Sequence, residues 1–442
     1  MSRDLRWLFS EVDRWTAEKI ISAEQAAGIR RLYPVSGKPR GVPWALVVFS
    51  CAGATVVGLG VILLLAYNWD ELPKFAKLAL VFGAILGGQL GGLSLLGREG
   101  WKPMVGEALC LLGTISFGAG IWLVAQIYHI DEHFPNGFLV WALGALAMAW
   151  ALQSAKQAVL ATILFTIWGS SEAWSFDSPS YWAIVAVMGG AAPLAWRLRS
   201  TLLTVVVLAS IYFLTVAVLG GYGGGAHAVT STLALSALLI AGGRLIGRKP
   251  GSDPGPTNAM IFVGFAGFLV CCYLLGFHEM ANDLLDWDRR PDRNLGFAST
   301  YGWLLAACGL AGWGGLAWRA LKAKTSLINI EEWLCPIALV YAYLLASLRG
   351  FHEAHLVAST FNLVFLAIAI MWMLRGCRES RLWATVLGSL LFAALVLARY
   401  FDLFESLFAR GLTFVILGGV LFAEAFYFHR VRRDITNGGT HP

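Results

Sequence analysis

Thr201-Leu-Leu-Thr-Val-Val-Val-Leu-Ala-Ser-Ile-Tyr-Phe-Leu-Thr-Val-Ala-Val-Leu219 carries no charge from end to end. Arg197 and Arg199 precede it, and the glycine-rich turn Gly220-Gly-Tyr-Gly-Gly-Gly225 follows. At about 1.5 Å per helical residue such a stretch reaches roughly 28 Å, close to the hydrocarbon thickness of a bilayer. Backbone groups in lipid must be satisfied within the segment, so an apolar run of this length is read as a spanning helix.

The same pattern recurs along the 442 residues. Spans are expected at about 43–67, 75–96, 104–127, 138–153, 157–174, 180–195, 201–219, 227–245, 258–277, 299–318, 333–349, 355–374, 383–398 and 411–428. The fourth and fifth are short and tightly joined, giving a range of twelve to fourteen. The expected fold is therefore all-α, a polytopic helical transmembrane bundle. Composition agrees: 58% of residues are hydrophobic and 14% charged, against about 25% charged in soluble domains. The 19 Trp suit two membrane interfaces.

Charge sets the orientation. With the N-terminus inside, 25 of the 33 Lys and Arg fall in the prologue, the internal connections and the tail, and 8 fall outside. Both termini are accordingly expected in the cytoplasm. The formal charge of +6 then reflects this bias and not nucleic-acid binding.

Five regions follow. Residues 1–42 form a cytoplasmic amphipathic segment, 43–248 a first bundle of about eight spans, 249–257 a Pro/Gly-rich cytoplasmic linker, 258–428 a second bundle of about six spans, and 429–442 a tail. In the prologue Leu5, Leu8, Val12 and Trp15 recur at helical spacing. Ser22-Ala-Glu-Gln25 has the form of a capping box opening a second helix through about Leu32. The segment reads as a helical hairpin on the membrane surface or as a module for a cytoplasmic protein partner. Its charge speaks against a cleavable signal peptide. None of the seven Cys falls in an expected external loop, which argues against an external disulfide framework. Gly-Phe-His-Glu occurs at 276–279 and at 350–353, too short a repeat to carry an argument.

Polar residues gather at the expected external side. Six of the eight His lie there, with many carboxylates. The densest stretch is Gln126-Ile-Tyr-His129-Ile-Asp131-Glu132-His133. If helical, it sets Gln126, His129 and His133 on one face. His129 and His133 at i, i+4 are weak candidates for a metal, but the order HxDEH matches no zincin motif. His352 and His355 flank Glu353, and His278 precedes Glu279 in the only long external loop, about 278–297. Asn68-Trp-Asp70-Glu71-Leu-Pro73 closes the first span, and Arg399-Tyr-Phe-Asp402 precedes the last. Within the spans Glu107, Glu172 and Glu424 are rare ionisable groups, and charge at membrane depth costs roughly 2.5–3.5 kcal/mol. The plainer alternative for all of these is solvation of helix ends. No P-loop, dinucleotide fingerprint or GxSxG occurs, and no cofactor is expected.

Ile21-Ser-Ala-Glu-Gln25, Tyr67-Asn-Trp-Asp70, Gln126-Ile-Tyr-His129 and Arg399-Tyr-Phe-Asp402 with Gly411-Leu-Thr-Phe414 together resemble a family of bacterial multi-pass membrane proteins catalogued as a domain of unknown function. The resemblance covers the prologue, the first four spans and the last two. It implies a bacterial inner membrane and brings no activity, substrate or catalytic residue.

Three functions follow. A transporter or permease of a small solute or ion would use an external polar vestibule. An intramembrane enzyme on a lipid-linked substrate would use external His and carboxylates as acid and base. A structural or sensory protein would use the prologue. The candidate binding residues are Asp70, Glu71, Glu107, Gln126, His129, Asp131, Glu132, His133, His278, Glu279, His352, Glu353, Arg399 and Asp402. The bilayer is the expected surrounding, and a solute or proton the expected cargo.

Overall fold

The computed structural model describes residues 11–32, 73–99, 102–129, 133–176, 178, 181–221, 225–247, 254–285, 295–323, 329–347, 353–379 and 381–403, with 415, 418–419 and 422. Expected spans 43–67 and 411–428, and with them Glu424, lie essentially outside these residues. The chain divides into units 1–77 and 78–442.

In the first unit, helix α1 (11–17) is followed by α2 (Ala23–Leu32). The capping box forms as read: Ser22 N–H donates to Gln25 Oε1 (2.9 Å), and Gln25 N–H to Ser22 Oγ (3.2 Å). Val12 and Ala26 are buried. Leu5 and Leu8 lie outside the described residues.

The second unit is helical in every described segment longer than a turn. Its helices are α3 (Lys74–Leu96), α4 (Lys102–Tyr128), α5 (Pro135–Leu152) and α6 (Ala155–Ser175). There follow α7 (Trp182–Arg197, with a π turn at Val187–Ala191), α8 (Thr201–Gly221), α9 (Gly225–Ile246) and α10 (Pro254–Leu275). The last are α11 (His278–Leu285), α12 (Leu295–Ala323), α13 (Ile330–Ser347), α14 (Ala354–Arg378) and α15 (Leu382–Leu403). Eight of the described helices are long and apolar enough to cross a membrane: α3, α4, α5, α8, α9, α10, α12 and α14.

The loop read at 278–297 is corrected at its start. Residues His278–Leu285 form a short amphipathic helix that buries Ala281 and Leu284. The polar residues hid it, because the apolar face of an eight-residue helix is only two or three side chains wide.

Lipid tails are as apolar as the helices, so helix association rests on close packing and hydrogen bonds. Ala142, Ala145 and Ala149 of α5 and Ala158 and Ala161 of α6 are all fully buried. The turn joining these two helices is tight: Gln153 takes left-handed backbone (φ 48°) and Ser154 caps α6. Between α3 and α4 a Cβ at Gly92 would collide with Cys110 Sγ and lie 2.6 Å from the Gly106 carbonyl. In α7 the π turn comes just before Pro193, which lacks an N–H, and Trp150 donates to the Gly190 carbonyl there (3.0 Å).

Among the described residues two large apolar cores result, beside a small contact of Leu219 with Ala228. One is built mainly by α5–α8, the other by α9–α15. Helix α9 serves both. Leu235 and Leu239 enter the first, while Leu233, Ala234, Ala237, Ile240 and Ala241 enter the second. Large side chains such as Leu202, Phe262 and Trp318 face outward, as a lipid-facing surface requires.

Candidate functional site

Among the described residues, short connections alternate the helix ends, so that His129, His133, His227, His278 and His355 fall at one end of the bundle and Arg197, Arg244, Arg319 and Arg375 at the other. At the His-bearing end α4 stops at Tyr128, where His129 takes left-handed backbone (φ 50°). The expected common face of Gln126, His129 and His133 therefore does not form. Gln126 and His129 are exposed.

His133 finds a different partner. Its Nε2 lies 2.8 Å from both carboxylate oxygens of Glu172, a buried residue of α6. Trp168 Nε1–H donates to the same carboxylate (3.1 Å), and the Phe176 ring covers the imidazole at 4.0 Å. His133 also lines an apolar cavity of about 440 Å³ between α3, α4 and α5, whose walls include Phe82, Ile85, Phe117 and Trp122.

Elsewhere at this end His278, the first residue of α11, stacks on His355 of α14 with ring centroids 4.0 Å apart. Glu279 and Glu353 are exposed beside them. Asp70, Glu71, Asp131, Glu132 and His352 lie outside the described residues. Arg399 and Asp402 occupy the last turns of α15. Among the described residues no three His, Cys, Asp or Glu come together to hold a metal.

The interior of the bundle holds what attention to charged residues missed. Helix α9 enters with His227, then presents Thr230, Ser231, Thr232 and Ser236, all buried. Tyr212 of α8 pairs with Ser236 (2.8 Å), and Thr215 of α8 with Tyr301 of α12 (3.3 Å). Thr232 meets Cys271 of α10 (3.1 Å), and Tyr343 of α13 reaches Thr230. Ser231 Oγ is fully buried and has no hydrogen-bond partner among the described residues. It faces Gly302 of α12, where a Cβ would lie 2.8 Å from it and 3.2 Å from the Tyr343 hydroxyl. Glycine there leaves room between two hydroxyls. The signal was present as Thr-Ser-Thr and Ser inside an otherwise apolar run, but hydroxyls cost little in a helix because most bond their own backbone.

Below the hydroxyls α9 and α12 close tightly. A Cβ at Gly312 would lie 3.0 Å from Ala241 Cβ, and Trp313 Nε1–H donates to the Ala237 carbonyl (3.0 Å).

The Arg-bearing end is cross-linked by charge. Arg244, at the end of α9, donates through Nε to Glu332 Oε2 (2.9 Å) and through a second nitrogen to Oε1. Asn329 also donates to Glu332 (3.0 Å). Arg375 binds Glu331 (2.7 Å), Asn329 (3.3 Å) and Glu379 (2.9 Å). Arg381 lies 3.1 Å from Glu379. The Arg375 hydrogen bond, with Arg381 beside it, holds the Glu379 carboxyl below its usual range. Glu107, expected as a transport residue, accepts from Ser154 Oγ (2.5 Å) and Lys156 Nζ (2.6 Å). It ties α4 to the α5–α6 turn.

Residues 13–158 match the family described as predicted membrane protein (DUF2157). The match takes in α2 to the start of α6 and leaves out the last two expected spans. No curated protein and no solved structure matches the chain.

Proposed function

We propose that this chain is a carrier of a small solute or ion, and that its path follows α9. The observation that supports this is the buried run of hydroxyls on α9, with Ser231 unpartnered opposite Gly302. A buried hydroxyl without a partner costs about 1–3 kcal/mol, a cost that a hydrogen-bonding cargo offsets when it arrives. The path starts at His227 and is sealed by the α9–α12 contact and by the Arg244–Glu332 pair. In this reading fourteen spans place both termini in the cytoplasm of a bacterial inner membrane. The vestibule named from the sequence, including Asp70, Asp131, Glu132, His352, Arg399 and Asp402, then opens to the outside. The prologue remains the natural contact for a cytoplasmic partner.

The test is flux. Purified chain is reconstituted in liposomes containing a pH-sensitive dye. Proton, Na⁺ and K⁺ gradients are imposed, followed by glycerol, urea and alanine as neutral and zwitterionic probes. Downhill movement of at least one probe above protein-free liposomes is expected, with loss in Ser231→Leu. Movement of none contradicts the carrier.

A second reading, an enzyme acting on a lipid-linked substrate, draws on the His133–Glu172 pair beside the apolar cavity. A His and a carboxylate in hydrogen-bond reach are the minimum for acid–base work. Turnover of a polyprenyl-phosphate-linked sugar that disappears in His133→Ala would favour it.

A further inference from the structure

The Arg-bearing end contains a second cavity, of about 360 Å³, bounded by α9, α10, α13, α14 and α15. Its chemistry is divided. Toward the membrane the walls are apolar and aromatic: Ile261, Phe262, Phe265, Trp372, Trp383 and Leu387. Phe262 and Trp383 are among the exposed large side chains, so this slot opens sideways to lipid. Toward the helix ends the lining is polar, with Asn258, Arg244, Asn329, Glu331, Glu332, Arg375, Glu379 and Arg381.

Most of that charge is already spent internally. Glu332 and Glu331 are buried and bound by Arg244 and Arg375. At the rim stand Glu379 and Arg381, of opposite sign, on the turn between α14 and α15; Glu379 is more exposed than Glu331 and Glu332, and its Oε1 also accepts from Arg375 (2.9 Å). Arg381 has Glu379 as its ion-pair partner and offers further guanidinium N–H groups. Guanidinium is suited to bind phosphate through two parallel hydrogen bonds. A carboxylate beside it suits an ammonium group and repels a second anion.

A slot open to acyl chains, below a rim where Arg381 and Glu379 stand side by side, matches a head carrying both phosphate and amine. We infer that this cavity binds a zwitterionic phospholipid of the phosphoethanolamine class. Arg381 takes the phosphate, Glu379 takes the ammonium, and the chains lie along Phe262, Trp372 and Trp383. A purely anionic head would set its charge against Glu379 without gain. The inference rests on the membrane-spanning fold and is independent of whether the chain carries a solute.

The test uses the full chain, delipidated in detergent and mixed with equal amounts of phosphatidylethanolamine, phosphatidylglycerol and cardiolipin of matched acyl chains. Native mass spectrometry resolves the bound lipid. Phosphatidylethanolamine is expected in preference to phosphatidylglycerol by about fivefold, the ratio that one charge contact at a membrane surface carries. Arg381→Gln is expected to lose that binding. Glu379→Gln leaves the rim net positive and is expected to turn the preference toward phosphatidylglycerol. Both positions are on a surface turn; Arg381 stands apart from the Arg244–Glu332 and Arg375–Glu331 pairs, and Glu379→Gln leaves Arg375 its bond to Glu331. Equal retention of all lipids, or preference unchanged in both variants, would overturn the inference. Displacement of the lipid by soluble glycerophosphoethanolamine would equally overturn it, because the acyl slot would then contribute nothing.

Discussion

His133 shows how much one side chain depends on where the backbone turns. The sequence placed it with Gln126 and His129, on the assumption that α4 continues. Left-handed backbone at His129 ends the helix and sends His133 to Glu172, 39 positions later. Glu172 is buried, and among the described residues His133 and Trp168 are the side chains that bond its carboxylate. His133→Ala is therefore expected to destabilise the chain by about 1–3 kcal/mol, the cost of a buried acceptor losing a partner. Thermal unfolding in detergent measures this. His129→Ala, at an exposed position, is expected to stay within about 0.5 kcal/mol of the parent. Equal stability of the two variants would show that the His133–Glu172 contact contributes nothing. Single suspects such as Glu172 and Glu107 were legible as rare charges in apolar runs. Their partners were not, since pairing across 39 or 47 positions depends on packing that a local pattern does not encode.

Helices were the most legible level. The expected span 104–127 is realised as Lys102–Tyr128, and 258–277 as Pro254–Leu275. Hydrophobic run length decides such segments, because the backbone has no other way to satisfy itself in lipid. The π turn of α7 and the short helix α11 were not legible. The first depends on how Pro193 and Trp150 meet, the second on a face too narrow to show in composition. Helix contacts were also hidden, yet they make a sharp test. Gly92 of α3 lies against Cys110 and Gly106 of α4, whereas Gly87 of the same helix has nothing within 4 Å of its absent Cβ. Gly92→Val is expected to cost about 1–3 kcal/mol through overpacking. Gly87→Val is expected to be near neutral. Paired thermal unfolding curves check both, and similar losses at the two positions would contradict the α3–α4 seam.

At the scale of the whole molecule, both cores and the polar interior meet on α9. Its hydroxyl run lies between His227 at one end and Arg244 at the other, and small residues close the middle against α12. The sequence showed a many-helix membrane protein with polar residues concentrated at one end. It did not show that the interior itself is polar, because Thr, Ser and Tyr barely lower the hydropathy of a 20-residue window. A carrier must expose this interior to water at some stage of its cycle, while a scaffold has no reason to. The most direct measurement is labelling of Ser231→Cys by a membrane-impermeant methanethiosulfonate, located by mass spectrometry, in liposomes with the protein in known orientation. Cys272, fully buried in the second core, reports on unfolding. Modification at position 231 from the His-bearing face, with Cys272 untouched, is the predicted result. A position 231 that stays unmodified from both faces, in protein that remains folded, would contradict a path along α9.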